Sequence, residues 1–175
     1  MPERFPPIAI EDLSPEQRRA AQALIATPRG EVRGPFIPLL YSPRLLDRVQ
    51  ELGGYLRYDC SLEKRLRETA ILCVAANWRQ GYEWKAHIVH AMEAGVAEET
   101  IRAIEAGRGV TGESPADERE IIAFCRELLQ GGGVEDALFT AIVDRHGRQG
   151  AIELASLCGY YSLLAYVLNL SGIER

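Results

Sequence analysis

The stretch Leu62-Glu-Lys-Arg-Leu-Arg-Glu-Thr-Ala-Ile-Leu-Cys-Val-Ala-Ala-Asn-Trp78, then Arg79-Gln-Gly81, then Tyr82-Glu-Trp-Lys-Ala-His-Ile-Val-His-Ala-Met-Glu-Ala-Gly-Val96, decides the fold. It reads as two helices joined by a tight turn. The second half of the first helix, Thr69 to Ala76, is apolar on every side, which predicts a helix buried all round. Gly81 permits the turn, and Gly95 is placed to end the second helix with a C-cap. Two of the three histidines, His87 and His90, lie in this stretch with Glu68 and Glu83. It is therefore the first place to look for acid–base chemistry.

Helix punctuation continues on both sides. Residues 1–13 read as an extended, Pro-rich lead, and Ser14-Pro15-Glu16-Gln17 as a capping box with proline at the first helical position. That helix should run to about Thr27, stopped by Pro28 and Gly30. The prolines of residues 29–38 predict an irregular loop. Ser42-Pro43 repeats the start signal, and Gly53-Gly54 weakens or ends the helix that follows. Ser61 is placed to cap the helix from Leu62. Further helices are expected over Glu98–Ala106, from Ser114-Pro115 to about Gln130, over about Glu135–His146 and over about Gln149–Leu170, with residues 108–114 as loop. No segment shows strand alternation. The expected fold is all-α, a single domain over 1–175 of seven to eight helices, with residues 1–33 as an N-terminal extension carrying one of them.

Composition narrows the function classes. The 175 residues are 47% hydrophobic and 26% charged, with a net charge of −5. That balance argues against a sequence-independent grip on nucleic acid, which needs clustered Lys and Arg. An anionic ligand would need a local arginine, because the global field would not attract it. The four cysteines, Cys60, Cys73, Cys125 and Cys158, form no Cys-x-x-Cys pair. They read as core residues of a reduced, cytoplasmic protein. Ala151–Leu170 is apolar, but Glu153, Ser156, Gly159 and Asn169 interrupt it, so a buried helix rather than a membrane span is expected.

On a helical wheel Glu83, His87 and His90 fall within about 60° of one another. Trp84, Ile88, Met92 and Val96 then form the expected core face. The polar stripe, which also holds Ala91 and Ala94, either faces water or lines a cleft. An exposed carboxylate–histidine face is the commoner outcome of such spacing. Glu68, however, shares an apolar face with Ile71, Leu72 and Ala75. A carboxylate there needs a partner, and a histidine on the adjacent helix is a natural one. Such a pair would orient the imidazole and keep its pKa near neutrality. His146 reads as a cation at a helix C-terminus, and Tyr160 and Tyr161 as core or subunit-contact residues. Glu83, His87 and His90 could chelate a metal with Glu68. No further His or Cys cluster completes a shell, so no metal is expected.

The residues Arg67-Glu68, Ile71–Ala76, Tyr82-Glu83-Trp84, His87 and Ala94-Gly95-Val96 resemble the carboxymuconolactone decarboxylase family of the alkylhydroperoxidase D-like superfamily. Weaker agreement comes from Gly34-Pro35, Ser42-Pro43 and Gly159-Tyr160-Tyr161. The resemblance covers about residues 34 to 170. In the alkylhydroperoxidase branch, Glu and His are spaced with a Cys-x-x-Cys pair between them. Here Glu68 and His87 match, while the cysteine positions hold Gln80 and Glu83, so thiol peroxidase chemistry is not carried over.

The resemblance implies an all-α helical bundle of this family and a homo-oligomer, trimer or hexamer. It also implies a cofactor-independent lyase that takes 4-carboxymuconolactone to 3-oxoadipate enol-lactone and carbon dioxide in aromatic catabolism. On this reading His87 is the general acid oriented by Glu68, and Glu83 a second acid–base group. Arg67 or Arg79 holds a substrate carboxylate, with Trp84 and His90 also at the substrate. Two rivals remain: another proton-transfer enzyme, an isomerase or hydratase, and a non-catalytic oligomeric binding protein.

Overall fold

The computed structural model describes residues 4–108, 114–131 and 133–173. Among them there is no strand, and eight helices make the fold. Helix α1 spans Pro15–Ile25, α2 Phe36–Leu39, α3 Pro43–Gly54, α4 Lys64–Asn77, α5 Gly81–Glu93, α6 Glu98–Glu105, α7 Ala116–Leu129 and α8 Asp136–Ser171. Helix α4 is the axis, packed against α5, α6, α7 and α8. Its residues Glu68 to Ala75 are all buried, as an all-round apolar sequence requires.

Helix α1 begins with the expected capping box: Gln17 N–H donates to Ser14 Oγ at 3.2 Å, and Ser14 N–H to Gln17 Oε1 at 2.9 Å. It buries Ala20, Ala21 and Leu24 and packs on α3. Helix α3 ends at Gly54, as the Gly53-Gly54 pair suggests, but the chain does not leave helical conformation there. It runs into a π-helical turn, Tyr55–Asp59, closed by Cys60 N–H to the Tyr55 carbonyl at 2.9 Å. Such wide turns re-aim side chains and recur at functional sites.

Several boundaries differ from the sequence reading. The Pro-rich loop contains the one-turn helix α2, because Pro35 and Pro38 are compatible with a first helical turn. Helix α4 starts at Lys64 with Glu63 as its cap residue, not at Leu62. Ser61 is engaged elsewhere: its N–H and hydroxyl donate to Glu153 Oε2 at 2.8 and 2.5 Å. Ser114 provides no side-chain cap for α7, and residues 109–113 of the expected loop lie outside those described.

The last two expected helices follow each other directly within α8, separated by a non-helical Gly147 (φ 69°, ψ 172°) where the expected break lies. His146 does not serve as a cation there. Burial, reinforced by Arg145, lowers its pKa, and its Nε2 is buried without a hydrogen-bond partner. Helix α8 is long and apolar enough to cross a membrane by length and composition, but 56% of its most apolar window is buried in the fold. It is a core helix.

Two buried carboxylates tie the bundle together. Glu118 of α7, with no exposure, accepts from Arg65 of α4 at 2.6 Å and faces the Ala97 N–H before α6 at 3.4 Å. Glu153 of α8 accepts from Ser61, Tyr55 and Gln149 (2.9 Å for the last). Burial opposes ionisation of Glu153, but these donors prevail and lower its pKa to about 2. The four cysteines are free and buried, with Cys125 and Cys158 Sγ atoms 3.5 Å apart between α7 and α8.

Because the folded pKa of Glu153 lies below its unfolded value, its ionised form stabilises the fold above about pH 4.5, and that gain is lost as pH falls toward about 2. Glu153→Gln should lower unfolding free energy at pH 7 by about 2 kcal/mol. Urea titrations at pH 7 and pH 3 should show a smaller difference between variant and wild type at the lower pH.

Candidate active site

Helix α5 turns its polar stripe toward the bundle, and of the expected core face Val96 is buried while Met92 is exposed. Its buried residues are Glu83, His87 and Ala91, while Met92 is 65% exposed and Val89 53% exposed. Trp84 and Ile88 are half-buried against the core. The polar stripe is therefore the inward stripe. The reason is the neighbouring helix: Glu68 of α4 offers the partner that makes burial of a histidine tolerable.

His87 Nδ1 lies 2.7 Å from Glu68 Oε2, with His87 and Glu68 each only 3% exposed. A carboxylate oxygen only accepts, so Nδ1 carries the proton and donates it. On the other edge of the ring, Nε2 lies 3.6 Å from Glu83 Oε2, slightly too far for a hydrogen bond. Tyr161 of α8 meets the imidazole edge-on, with centroids 5.1 Å apart and planes at 89°. The ring is thus held on one side by charge and on another by packing.

Burial sets the protonation states. It lowers the pKa of His87 despite the opposing pull of Glu68. It raises that of Glu83 to about 7, with Arg57 pulling the other way. Near neutrality the imidazole is neutral, Nε2 is a free base, and the Glu83 carboxyl holds a proton about half the time. A base, the His87 Nε2, and an acid, the Glu83 carboxyl, face each other across a narrow gap.

The gap opens on a cleft of about 270 Å³. Ala86 of α5, Tyr160, Tyr161 and Leu164 of α8, and Pro35 and Phe36 form much of its wall, and His90 stands near its mouth, half-exposed. Three guanidinium groups line it: Arg29 and Arg33 from the loop after α1, and Arg57 from the π-helical turn. Gly34 lets that loop close over Tyr82; with φ +55°, a Cβ there would lie 2.3 Å from Tyr82 Cε1. Beside it a second hollow of about 430 Å³ shares Arg29, Arg33, Arg57 and His90 and reaches Glu68 and Arg67.

The sequence candidates therefore divide. Glu83, His87 and His90 line the cleft, and Glu68 holds His87 from behind and borders the adjoining hollow. Arg67 borders the adjoining hollow, its Nη1 3.7 Å from Cys60 Sγ. Arg79 does not reach the site. It sits in the α4–α5 turn at φ 49° and lines a separate hollow with Cys73 and Arg126. Trp84 does not line the cleft either; the core takes its ring. Arg29, Arg33, Arg57, Tyr160 and Tyr161 were not read as site residues from sequence. The available signals were the Arg29-Gly-Glu-Val-Arg33-Gly-Pro run and the Gly53-Gly54 pair ahead of Arg57.

Gln80, at one of the two cysteine positions of the redox branch, has its own task. Its side chain accepts from Tyr82 N–H at 2.8 Å and donates to Asn169 at 3.0 Å, starting α5 and tying it to α8. None of the four thiols lines the cleft. Among the described residues, no group of three or more His, Cys, Asp or Glu side chains is arranged to hold a metal ion.

Fold and site thus define an all-α bundle with a buried Glu–His–Glu acid–base centre beneath an arginine-lined cleft. The model of the carboxymuconolactone decarboxylase family matches residues 43–127, and over that segment the chain is similar to that family. No curated protein matches the chain. Glu68, Glu83, His87 and Arg57 fall within the matched segment, whereas Arg29, Arg33, Tyr160 and Tyr161 fall outside it.

Because burial raises the Glu83 pKa to about 7, the group is neutral in both states below about pH 4.5, and its penalty on the fold grows as pH rises from there to about 7 and then levels off. Glu83→Gln should leave the melting temperature at pH 4 nearly unchanged. At pH 8.5 it should raise stability by roughly 1–3 kcal/mol, read as a higher melting temperature in a thermal scan.

Proposed function

We propose that this cleft is the active site of a cofactor-independent decarboxylase acting on a small carboxylated lactone such as 4-carboxymuconolactone. The observation that carries the reading is the pairing of a neutral, Glu68-anchored His87 with a Glu83 carboxyl that is protonated near neutrality. Losing carbon dioxide from a β-keto-type acid breaks a carbon–carbon bond, and the electron pair passes into an extended enolate. One proton must then reach carbon. On this reading Glu83 supplies it, and His87 Nε2 accepts or relays it. This exchanges the roles expected from sequence, where His87 is the general acid and Glu83 the second acid–base group. Solvent restores the proton through the mouth beside His90.

The low-polarity wall of Tyr161, Leu164 and Phe36 strengthens the fields of these groups by excluding water. The rim guanidiniums supply charge for the developing oxyanion and for substrate carboxylate. The same acid–base centre would also serve an isomerase or hydratase, and release of carbon dioxide separates the readings.

Purified protein incubated with 4-carboxymuconolactone should evolve carbon dioxide. His87→Asn should reduce the rate about 10²–10⁴-fold, and Glu68→Gln should reduce it by a smaller factor through misorientation of the ring. The wild-type rate should fall above about pH 7 as Glu83 loses its proton. Ring isomerisation without gas release would replace the decarboxylase reading with the isomerase one. Full function in His87→Asn would favour a binding protein.

We also propose a homo-oligomer. Val89 and Met92 of α5 and Ile152, Tyr166 and Leu170 of α8 are large apolar side chains left exposed in the single chain. Light scattering should give a mass that is a multiple of 19.4 kDa, and Met92→Lys should reduce it.

A further inference from the structure

Helix α8 has one exposed line. Between Ala151 and Ser171 the exposed residues are Ile152, Ser156, Gly159, Leu163, Tyr166 and Leu170, and every other position is buried or half-buried. Alternating steps of four and three residues keep the six in line over about 27 Å of helix, at the a and d positions of a heptad. Four of the six are large and apolar. No charged residue occurs from Leu154 to Ile173, whereas a helix edge that faces water normally carries charge. The half-buried polar side chains beside the line are engaged inside the fold. Ser162 Oγ accepts from Trp78 Nε1 at 2.9 Å, and Asn169 accepts from Gln80 at 3.0 Å.

Gly159 is an independent pointer. It sits in mid-helix, where glycine is less stable than alanine. Yet a Cβ there would meet nothing within 4 Å, so no contact within the chain calls for a glycine. On a helix surface, glycine lets a second backbone approach closely.

We propose that this line is the contact surface for α8 of a second copy of the chain, with the two helices antiparallel about a two-fold axis at the level of residue 161. In a two-fold interface residue i meets j and j meets i. Gly159 then meets Leu163 of the partner subunit, Ser156 meets Tyr166 of the partner subunit, and Ile152 meets Leu170 of the partner subunit. Each layer sets small against large or apolar against apolar, which lets two faces interdigitate at native density. A parallel pair would stack Gly159 on Gly159 and Tyr166 on Tyr166, with a void at one level and crowding at another. The absence of charge favours a second copy over a different partner. Any charge near a two-fold axis faces its own copy and is repelled, and this line carries none. The proposal rests on the homo-oligomer reading and deepens it: it names one contact surface and makes the number of subunits even.

The test uses two single variants of the full chain, Ser156→Cys and Tyr166→Cys, co-expressed with different tags and oxidised mildly with copper phenanthroline. Antiparallel pairing brings the two introduced thiols within disulfide reach. The mixture should give a covalent dimer of about twice 19.4 kDa that carries both tags, and neither variant alone should give one. Wild type, whose four cysteines are buried, serves as the blank. Gly159→Lys puts an ammonium group into the contact and should weaken the pairing about hundredfold or more, read in the ultracentrifuge as a halved assembly mass. Its circular dichroism should match wild type, because the added side chain meets nothing within the chain. Leu163→Lys should act in the same way.

Disulfide dimers from each variant alone would mean a parallel pair and would overturn the proposal. So would an oligomeric wild type with an odd number of subunits, one that gives no mixed dimer, or one whose mass Gly159→Lys leaves unchanged. Those three results would leave the homo-oligomer standing on another surface. A monomeric wild type would end both readings and leave the line to a different protein.

Discussion

A 2.7 Å hydrogen bond from His87 Nδ1 to Glu68 Oε2 joins α5 to α4 where almost no water reaches. Everything chemical about the cleft depends on it. A lone carboxylate in the middle of α4 would be expensive, and so would a lone imidazole on the buried face of α5. Together they satisfy each other and fix the tautomer. They also point the free Nε2 away from α4 toward Glu83. The rotation of α5 about its own axis follows from this pairing. Glu83, His87 and Ala91 go inward, and Val89 and Met92, which a hydrophobicity argument would bury, are left outside.

The surrounding elements serve to hold that pair dry and to open it on one side only. Gln80 starts α5 and ties it to Asn169 of α8. Tyr161 closes over the imidazole. The π-helical turn Tyr55–Asp59 carries Arg57 to the cleft, and Gly34 lets the loop bearing Arg33 lie on Tyr82. Carboxylates outside the cleft are handled in the opposite way. Glu118 and Glu153 are buried but surrounded by donors, and Glu153 stays ionised far into acid. Glu83 lacks such donors and titrates near neutrality. One residue type thus stays ionised or titrates near neutrality according to the donors around it. The cost of that arrangement falls on stability, as is usual where a site must keep a group poised between two protonation states.

The parts legible in sequence were those with a local cause. Ser14 and Gln17 form a capping box within four residues, Pro43 opens α3, and the unbroken apolar run from Thr69 to Ala76 admits no exposed face. The need of Glu68 for a partner also followed from its apolar neighbours. Less legible were features that depend on which groups compete for one side chain. Ser61 looks like a helix cap until Glu153, 92 residues away, claims both its N–H and its hydroxyl. Arg79 sits close to His87 in sequence, yet the turn carries it to another hollow. Arg29 and Tyr160, far apart in sequence, converge on Gly53.

The sequence alone therefore determined an all-α chain, its central helix pair and the two side chains that pair across it, because periodicity, caps and the penalty for an unpartnered buried charge act over a few residues or one helix face. The tertiary structure decided which face of α5 turns inward, which arginines reach the cleft and which carboxylate carries a proton near neutrality. Those outcomes depend on the distance and dielectric between groups from different helices, and neither quantity exists until the helices have packed.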